Sequence, residues 1–577
     1  MYLFRTLPIL ITAAHATLYP TSFANTTWDD YLWALITTSP DPGHYQSRAS
    51  LSNGYIGISL SSLGPFFEYD TPVDGDDIIG WPLFNRRQDF TTVAGFYGSL
   101  PGFGSNMTNF EWLNDLGYES VISGLPHWSG LLLEYQGVLL NASTDLTTIS
   151  NFSSTWNLRQ ATLSWEFVWT PVVGQPSLKV SYFMFVHKLY VNQAVVRMLV
   201  SAEEDVEVTV YDVLDGDAAV RSVPMGTGFE MGKNTIWSAV QPVNVPYVTA
   251  YTYSTTQVYG SADTVTAQLA KDFVGAGTNA SGIAQSMSLQ LSANQITEVF
   301  KFVGIASTDA FSDPAAVARN ASLSAAQVGF IPSLFSHVQE WESIFTPDSI
   351  DNYRYPNGSL PANQNIIDQQ IMAVTNPYGI LQNTVSANAI AAAGNNTNLD
   401  VDSIAVCGLS ADCYAGLIFW DAEVWMQPGL VVSHPQAAKQ IANYRVAKFA
   451  QARKNVAEAY TSSQADTAFS PDSAIFPWTS GRFGNCTGTG MFLSCLLTLM
   501  LTVCFLGPCF DYEYHINGDI CLELENLYFV TGDTATFNRT YFPIYDAVAQ
   551  VYSNLLKYNA SSGLYSFLNA TDPDEYA

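Results

Sequence analysis

The hydrophobic periodicity of this 577-residue chain changes near residue 308, and that change limits the folds the chain can adopt. Between Thr27 and Thr308, apolar and polar side chains alternate in short segments such as Leu178–Val186 (LKVSYFMFV) and Val206–Val213 (VEVTVYDV). A period of two residues is typical of β-strands, and turn residues separate these segments. Because no helical pattern lies between them, residues 27–308 are predicted to form an N-terminal β-sandwich domain rather than a parallel α/β sheet.

The periodicity beyond this point is helical. Residues 309–365 contain two short helical patterns and are predicted to form a helical linker. In the remainder, apolar residues recur every three or four positions, most clearly in Ala437–Tyr460. Long helices joined by aromatic, glycine-rich loops indicate an α-helical toroid over residues 366–577. We expect this domain to be incomplete, because the printed chain stops at Ala577 directly after a loop. The predicted fold class is therefore multidomain β + α.

The composition limits the class of partner. The chain has 51 acidic and 22 basic side chains, a formal net charge of −29 at pH 7. Nucleic acid is excluded as an expected partner, because a phosphate backbone requires a concentrated cationic surface. A neutral sugar would not be repelled. The hydrophobic content of 48% is too high for a disordered chain.

The first 16 residues have the pattern of a secretory signal peptide. Arg5 supplies the positive charge, Leu7–Ala14 the apolar stretch, and Ala14-His15-Ala16 a cleavage site of the small-x-small type. A cytosolic chain with an apolar start is the alternative. N-x-S/T sequons spread along the whole chain favour secretion with glycosylation, and hence a secreted, cell-wall or vacuolar protein. The candidate glycosylation sites are Asn25, Asn106, Asn141, Asn151, Asn279, Asn320, Asn357, Asn395, Asn485, Asn538, Asn559 and Asn569.

Residues 491–507 (MFLSCLLTLMLTVCFLG) form the most apolar run of the chain. Seventeen residues are at the lower limit for a membrane-spanning helix, and no Lys or Arg flanks the run closely. A buried helix is a second interpretation. A third is a retained intron translated in frame, because the codons for Gly490-Met491-Phe492 can contain the fungal-type 5′ splice signal GTATGT. We favour the intron and expect no genuine membrane span.

Removal of residues 491–507 would join Cys486 and Cys509 in the sequence C-T-G-T-G-P-C, a spacing that could close a short disulfide loop. Cys407 and Cys413 form a second plausible pair in an oxidising compartment, which leaves Cys521 as a buried thiol. No Cys/His cluster has the spacing of a zinc site. The sequence therefore predicts no metal and no other cofactor.

Three aromatic segments contain candidate substrate-binding residues. In FWDAEVWMQP, the indole of Trp420 could stack on a pyranose and the carboxylate of Asp421 could accept two hydroxyl groups. A helix start with core tryptophans is the alternative. Trp478 lies in a second aromatic loop, FPWTSG, with the same ambiguity. His515 and Asn517 lie in YEYHINGD, which also fits a capped helix entry.

The last segment, TDPDEY, places three carboxylates in a tight proline turn. Their mutual repulsion would raise the pKa of at least one of them, as a general acid requires. A solvated acidic loop is the alternative. Glu575 in this segment is the candidate catalytic residue.

In this order the segments resemble glycoside hydrolase family 65, and within it the branch of fungal acid trehalases. The resemblance covers the whole chain except residues 491–507. FWDAE is similar to the family's FWD-x-E motif, FPW to its Y/FPW loop, and DPDEY to its GPDEY. The other matching segments are NGYIG (residues 53–57), GWPLFNRR (80–87), YR (444–445), ARKN (452–455) and H-x-N-G (515–518).

The resemblance implies an N-terminal β-sandwich, a helical linker and an (α/α)6 barrel. It also implies inverting hydrolysis of the α-glucosidic bond of trehalose without a cofactor. By motif match, Glu575 would be the general acid, while Trp420 and Asp421 would hold the non-reducing glucose. His515, Asn517 and Trp478 would belong to the pocket wall.

An inverting glycosidase also requires a second carboxylate to activate water. In this family the base lies downstream of the DEY motif, beyond Ala577, so we expect the printed chain not to hydrolyse trehalose. Two alternatives remain open. One is a phosphorylase or hydrolase of another α-linked glucose disaccharide, although an exported sugar phosphate would be lost to the cell. The other is a non-catalytic sugar-binding remnant.

Overall fold

The structure is a computed structural model that describes residues 18–40, 49–69, 88–100, 119–261, 265–461, 469–485, 487, 510, 513–567, 570 and 573. Several predicted features lie outside these residues: the signal peptide (1–16), the apolar run 491–507, Cys486, Cys509, Asn106, Asn569 and Glu575.

The first part of the described chain is built of strands. They are β1 (Leu18–Pro20), β2 (Thr26–Asp29), β3 (Ala34–Thr37), β4 (Ser50–Ser52), β5 (Ile56–Ser59), β6 (Thr91–Val93), β7 (Tyr97–Leu100), β8 (Glu119–Ile122), β9 (Leu131–Tyr135), β10 (Val138–Leu140), β11 (Ile149–Asn157), β12 (Thr162–Trp169), β13 (Leu178–Val186), β14 (Gln193–Ala202), β15 (Val206–Leu214), β16 (Ser222–Glu230), β17 (Thr235–Pro242), β18 (Ala250–Tyr259), β19 (Gln268–Leu269), β20 (Ile283–Leu291) and β21 (Thr297–Ser307).

Two of the sheets pack face to face. The larger has the strand order β1-β2-β3-β11-β12-β13-β14-β21-β18-β17-β16, and the smaller has the order β10-β9-β15-β20-β19. Their inner faces share one hydrophobic cluster, which includes Trp165, Tyr182, Val210 and Leu289. Along β13, buried residues alternate with more exposed ones from Leu178 to Tyr182, as the period of two predicts. This part of the predicted fold class, the β-sandwich, is confirmed.

A buried ion pair joins the two sheets. Lys301 on β21 lies 2.7 Å from the carboxylate of Asp212 on β15, and both side chains are fully buried. Asp212 also accepts hydrogen bonds from Ser254 and Gln285, so its charge is well compensated. Buried ions are tolerated when such additional hydrogen bonds satisfy them.

Helices follow the sandwich. They are α1 (Pro314–Val328), α2 (Phe330–Ile344), α3 (Gln364–Leu381), α4 (Ala387–Ala392), α5 (Gln427–Val431), α6 (Pro435–Thr461), α7 (His515–Thr531), α8 (Thr534–Thr536) and α9 (Phe542–Leu555), with a late hairpin of β22 (Lys557–Asn559) and β23 (Leu564–Ser566). A second hydrophobic cluster lies among these helices and takes in Trp28 and Trp33 from the N-terminal strands. The first strand, β1, begins at Leu18, before the predicted start of the sandwich at residue 27. The domain limits given above remain a prediction.

Helix α1 begins at a capping residue that is followed by a proline. The Asp313 side chain accepts a hydrogen bond from the Ala316 amide, and Pro314 occupies the first helical position. Small residues on α1 pack against β21, where Ser322 donates a hydrogen bond of 2.7 Å to the Phe302 carbonyl. A Cβ atom at Gly304 would collide with the α1 backbone, which explains the glycine there.

Lys188 connects the sandwich to the helical region. It follows β13, and its buried ammonium donates hydrogen bonds to the carbonyls of Leu381 (2.8 Å) and Thr384 (2.7 Å) at the end of α3. The ammonium also lies 4.5 Å from the ring centroid of Trp341. A cation at the C-terminus of a helix compensates carbonyls that have no partner within the helix. Burial lowers the pKa of Lys188 to about 7.

The structure also shows the state of three cysteines and the lengths of the apolar helices. Cys407 and Cys413 form a disulfide with a Cα–Cα distance of 6.2 Å. Cys521, on α7, is a buried free thiol. Within the described ranges, no helix is both long enough and apolar enough to span a membrane.

Replacing Lys188 with Met should lower the free energy of unfolding by about 1–3 kcal/mol, because the Leu381 and Thr384 carbonyls would stay buried without a donor. Urea unfolding of both proteins measures this difference. Lys179→Met, at an exposed position on β13, is the matched control and should change stability by less than about 0.5 kcal/mol. Equal stability of the Lys188 variant and the parent protein would contradict the proposed link.

Candidate active site

Trp420 and Asp421 stand where an extended segment turns into a helix. Just before them, Ile418 exchanges two backbone hydrogen bonds with Ser480, of 2.8 and 2.9 Å. The chain then enters a π-helical turn, Ala422–Met426, which leads into α5. Such turns are frequent at functional sites, because they displace side chains from the regular helical path. Both Trp420 and Asp421 are half-buried.

The Asp421 carboxylate has unused hydrogen-bonding capacity. It forms no side-chain hydrogen bond with another residue of the described chain, and burial raises its pKa. A half-buried carboxylate gains free energy when donors replace the water it has lost. Vicinal hydroxyl groups of a sugar are donors of that kind.

His515, the first residue of α7, is held between two carboxylates. Its Nε2 lies 2.8 Å from Oε2 of Glu513, and its Nδ1 lies 2.6 Å from Oδ2 of Asp519. Burial lowers the pKa of His515, but the hydrogen bonds to Asp519 and Glu513 outweigh it and raise the pKa to about 9. The ring is therefore a fixed imidazolium at acidic and neutral pH, with both N–H groups donating.

The imidazolium contacts the candidate sugar-binding tryptophan. The rings of His515 and Trp420 are 5.9 Å apart, with an interplanar angle of 86°. An edge-on ring contact of this kind limits the rotation of the indole. The structure thus brings together Trp420, Asp421 and His515, from two segments that are almost 100 residues apart in the sequence.

Trp478 and Asn517 lie behind this group. Trp478 is 5% exposed and makes an edge-on contact of 5.3 Å with Phe419, in a cluster that includes Phe90 and Tyr97 from the N-terminal part of the chain. Asn517 is 1% exposed, and its Oδ1 accepts a hydrogen bond of 2.8 Å from the Phe476 amide. Both residues therefore hold the FPW loop in place from the interior of the protein.

Sequence reasoning missed a charged cluster beneath the site. Nε of Arg445, on α6, donates a hydrogen bond of 2.6 Å to Glu423 in the π-helical turn, and both side chains are fully buried. Glu523, on α7, is also fully buried and interacts electrostatically with both. The sequence did contain a signal for this cluster, because charged residues occupy positions that are otherwise apolar in the helical pattern.

Tyr444, the residue before Arg445 on α6, supports the loop that carries Trp478. The hydroxyl of Tyr444 donates a hydrogen bond of 2.7 Å to the carbonyl of Gly481, and it also lies 2.7 Å from Oγ of Ser480, whose hydroxyl can donate to it. Within the described part of the chain, no group of three or more His, Cys, Asp or Glu residues is arranged to hold a metal ion.

Most of the described sequon asparagines are accessible. Those classed as exposed are Asn25, Asn151, Asn320, Asn357, Asn395, Asn538 and Asn559, while Asn141, Asn279 and Asn485 are partly buried. Exposure is a requirement for a modified asparagine in a folded protein, so these positions remain candidates.

The raised pKa of His515 should make the protein's stability depend on pH. The stabilisation is fully present below the ordinary histidine pKa of 6.5 and is lost as pH rises through about 9. The difference in free energy of unfolding between the parent protein and His515→Gln, measured in urea from pH 5 to 10, should therefore shrink between about pH 6.5 and 9. Asp519→Asn should move the upper limit to lower pH. A difference that is independent of pH would contradict the assignment.

Family models cover most of the chain. Residues 35–344 match the N-terminal domain of glycosyl hydrolase family 65, and residues 388–577 match the central catalytic domain of that family.

Curated relatives are similar over almost the entire chain. The acid trehalase of Emericella nidulans is 47% identical over 97% of this chain and 51% of its own length. The cell wall acid trehalase of Arthroderma benhamiae is 44% identical over the same shares, 97% and 51%. The chain thus spans about half the length of these curated relatives.

Among solved structures, a putative kojibiose phosphorylase from the human microbiome has a TM-score of 0.67 at 14% sequence identity, over 94% of this chain and 62% of that one. This likeness shows a shared fold and confirms the predicted β-sandwich followed by an α/α barrel. The family models settle the wider assignment: the chain belongs to glycosyl hydrolase family 65.

Proposed function

We propose that the protein to which this chain belongs is an acid α,α-trehalase, which hydrolyses trehalose to two glucose molecules with inversion. The observation that carries the proposal is the group of Trp420, Asp421 and the charged His515 at the start of two helices. The names of the relatives above support the choice of trehalose.

The roles follow from chemistry. The indole of Trp420 stacks against the apolar face of the non-reducing glucose, and the Asp421 carboxylate accepts its hydroxyl groups. His515 fixes the indole, while Glu513 and Asp519 compensate its positive charge. Trp478 and Asn517 support the wall from behind rather than contacting the sugar.

The chemical step requires two carboxyl groups. Glu575, assigned by its motif, protonates the glycosidic oxygen, and a second carboxylate about 6.5–9.5 Å away activates water on the opposite face of the sugar. In the family that base lies downstream of the DEY motif. We therefore propose that residues 1–577 bind trehalose without turning it over.

Two competing functions give different results. A phosphorylase of an α-linked disaccharide would need phosphate for turnover, whereas a hydrolase would not. A non-catalytic sugar-binding protein would bind trehalose but release no glucose. This would hold even for the product of the full reading frame, which we propose to lack residues 491–507 and to continue past codon 577. The carboxylates of Glu513 and Asp519 beside His515 disfavour an anionic co-substrate at this position.

Secretion is part of the proposal. The signal-peptide pattern of residues 1–16, the sequons and the cell-wall designation of one relative all favour an extracellular or cell-wall location. The disulfide between Cys407 and Cys413 fits an oxidising compartment.

Residues 491–507 are proposed to be a retained intron. We expect the mature transcript to lack the corresponding codons and to continue in frame past codon 577. Sequencing of complementary DNA from codon 485 onward tests this. A message that encodes these residues and stops after Ala577 would contradict both the intron and the complete enzyme.

Two variants of the protein made from the full reading frame separate chemistry from binding. Glu575→Gln should lower kcat by about 10²–10⁴-fold with KM nearly unchanged, because it removes the proton donor. Asp421→Ala should lower kcat/KM by roughly 10- to 150-fold, equivalent to about 1.5–3 kcal/mol, and should weaken binding as well. Glucose release at acidic pH and calorimetric titration with trehalose give these values.

The control is Asp546→Ala, an exposed carboxylate on α9, which should leave both constants unchanged. Full activity of the Glu575 variant would show that another residue is the general acid. Unaltered trehalose binding by the Asp421 variant would remove Asp421 from the sugar site.

A further inference from the structure

Three charged side chains in the interior of the helical region interact electrostatically. Glu423 comes from the π-helical turn, Arg445 from α6 and Glu523 from α7, and all three are at most 2% exposed. Moving one ion from water into a protein interior costs several kcal/mol, so a cluster of three requires an explanation.

The hydrogen bonds in this cluster are unevenly distributed. Arg445 uses only Nε, which donates to Oε1 of Glu423. The two terminal nitrogens of Arg445, Oε2 of Glu423 and both carboxyl oxygens of Glu523 have no hydrogen-bond partner among the described residues. A buried carboxylate without donors is strongly unfavourable, whereas an uncharged carboxyl group in the same place costs much less free energy.

The protonation state of Glu523 follows from these surroundings. Burial raises its pKa well above the ordinary value, and the negative charge of Glu423 raises it further, while Arg445 acts in the opposite direction. With Glu523 uncharged, the cluster consists of one ion pair and one neutral acid, and carries no net charge. Such a group can be buried at acidic pH without an additional counter-ion.

Two of the three elements that carry the cluster also adjoin or contain a residue of the candidate site. The π-helical turn begins directly after Asp421, and α7 begins at His515. A further contact joins α5, which continues the π-helical turn, to α7, since Nε2 of Gln427 donates a 3.3 Å hydrogen bond to the backbone carbonyl of Glu523. The relative placement of these elements determines the 5.9 Å contact between Trp420 and His515.

We propose that Glu523 is a positioning residue: as an uncharged acid packed beside the Glu423–Arg445 pair, it sets the placement of α7 against the π-helical turn and hence that of His515 against Trp420. This inference rests on the proposed function where it concerns trehalose, but its geometric part does not depend on the substrate.

Variants of different size and charge test the proposal in the protein made from the full reading frame. Glu523→Gln replaces a neutral acid with a neutral amide of the same shape, so kcat and KM for trehalose should stay within about twofold of the parent values. Glu523→Asp withdraws the carboxyl group by one methylene and should lower kcat/KM at least tenfold, because small displacements at a reacting centre are costly. Glu525→Asp, on the same helix but partly exposed, is the matched control and should behave like the parent protein.

A readout without substrate separates positioning from stability. In protein labelled with 5-fluorotryptophan, the ¹⁹F resonance of Trp420, assigned with Trp420→Phe, should shift in Glu523→Asp and stay in place in Glu523→Gln. If Glu523→Asp does not fold, Gln427→Leu removes the link between α5 and α7 without changing charge. It should then produce the same shift and the same fall in kcat/KM.

Three results would overturn the proposal. One is a Gln variant as impaired as the Asp variant, which would mean that Glu523 acts as a charge. A second is an Asp variant with a lower Tm but an unchanged Trp420 resonance and kcat/KM, which would leave only a structural role. The third is a Gln427→Leu protein without either effect. Failure of the parent protein to release glucose would instead reject the proposed function, and the ¹⁹F result would still decide the positioning role.

Discussion

The ion pair between Glu423 and Arg445 is the interaction on which the candidate site depends. It lies where the π-helical turn, α6 and α7 meet, and both side chains are withdrawn from water. Removing either partner would leave an uncompensated charge in the interior, which typically costs about 3–5 kcal/mol. A well-packed apolar replacement would be easier to bury. We therefore interpret the pair as an interaction that favours one arrangement of the helices, rather than as one that increases the free energy of unfolding.

Buried cations have a similar role elsewhere in the protein. Lys301 joins the two sheets through Asp212, and Lys188 joins the sandwich to the end of α3. Each ammonium meets several oxygen acceptors in a fixed geometry, which apolar contacts do not provide. The N-terminal part of the chain also packs behind the candidate site, since Phe90 and Tyr97 belong to the cluster that contains Trp478. The N-terminal domain is thus part of the framework that holds the loops of the candidate site.

The electrostatics of the site suit an acidic medium. His515 is protonated throughout the acidic range, because two carboxylates stabilise its charge. Burial raises the pKa of Asp421, so its ionisation is sensitive to ligands that donate hydrogen bonds to it. The overall charge of −29 is partly neutralised at low pH, which reduces repulsion within the folded chain. These properties are compatible with the function proposed above.

The amino-acid sequence by itself determined the two-part architecture and the segments that contain the site. Periods of two and of three to four residues depend only on the order of the side chains, so the sandwich and the helices were predictable. Motifs selected Trp420, Asp421 and His515 as candidates, and this selection remains a prediction. Sequence reasoning did not predict that Trp478 and Asn517 point into the interior, or that Glu523 and Arg445 share a buried cluster. Those features depend on how distant helices pack, and only the tertiary structure decided which side chains lost their contact with water.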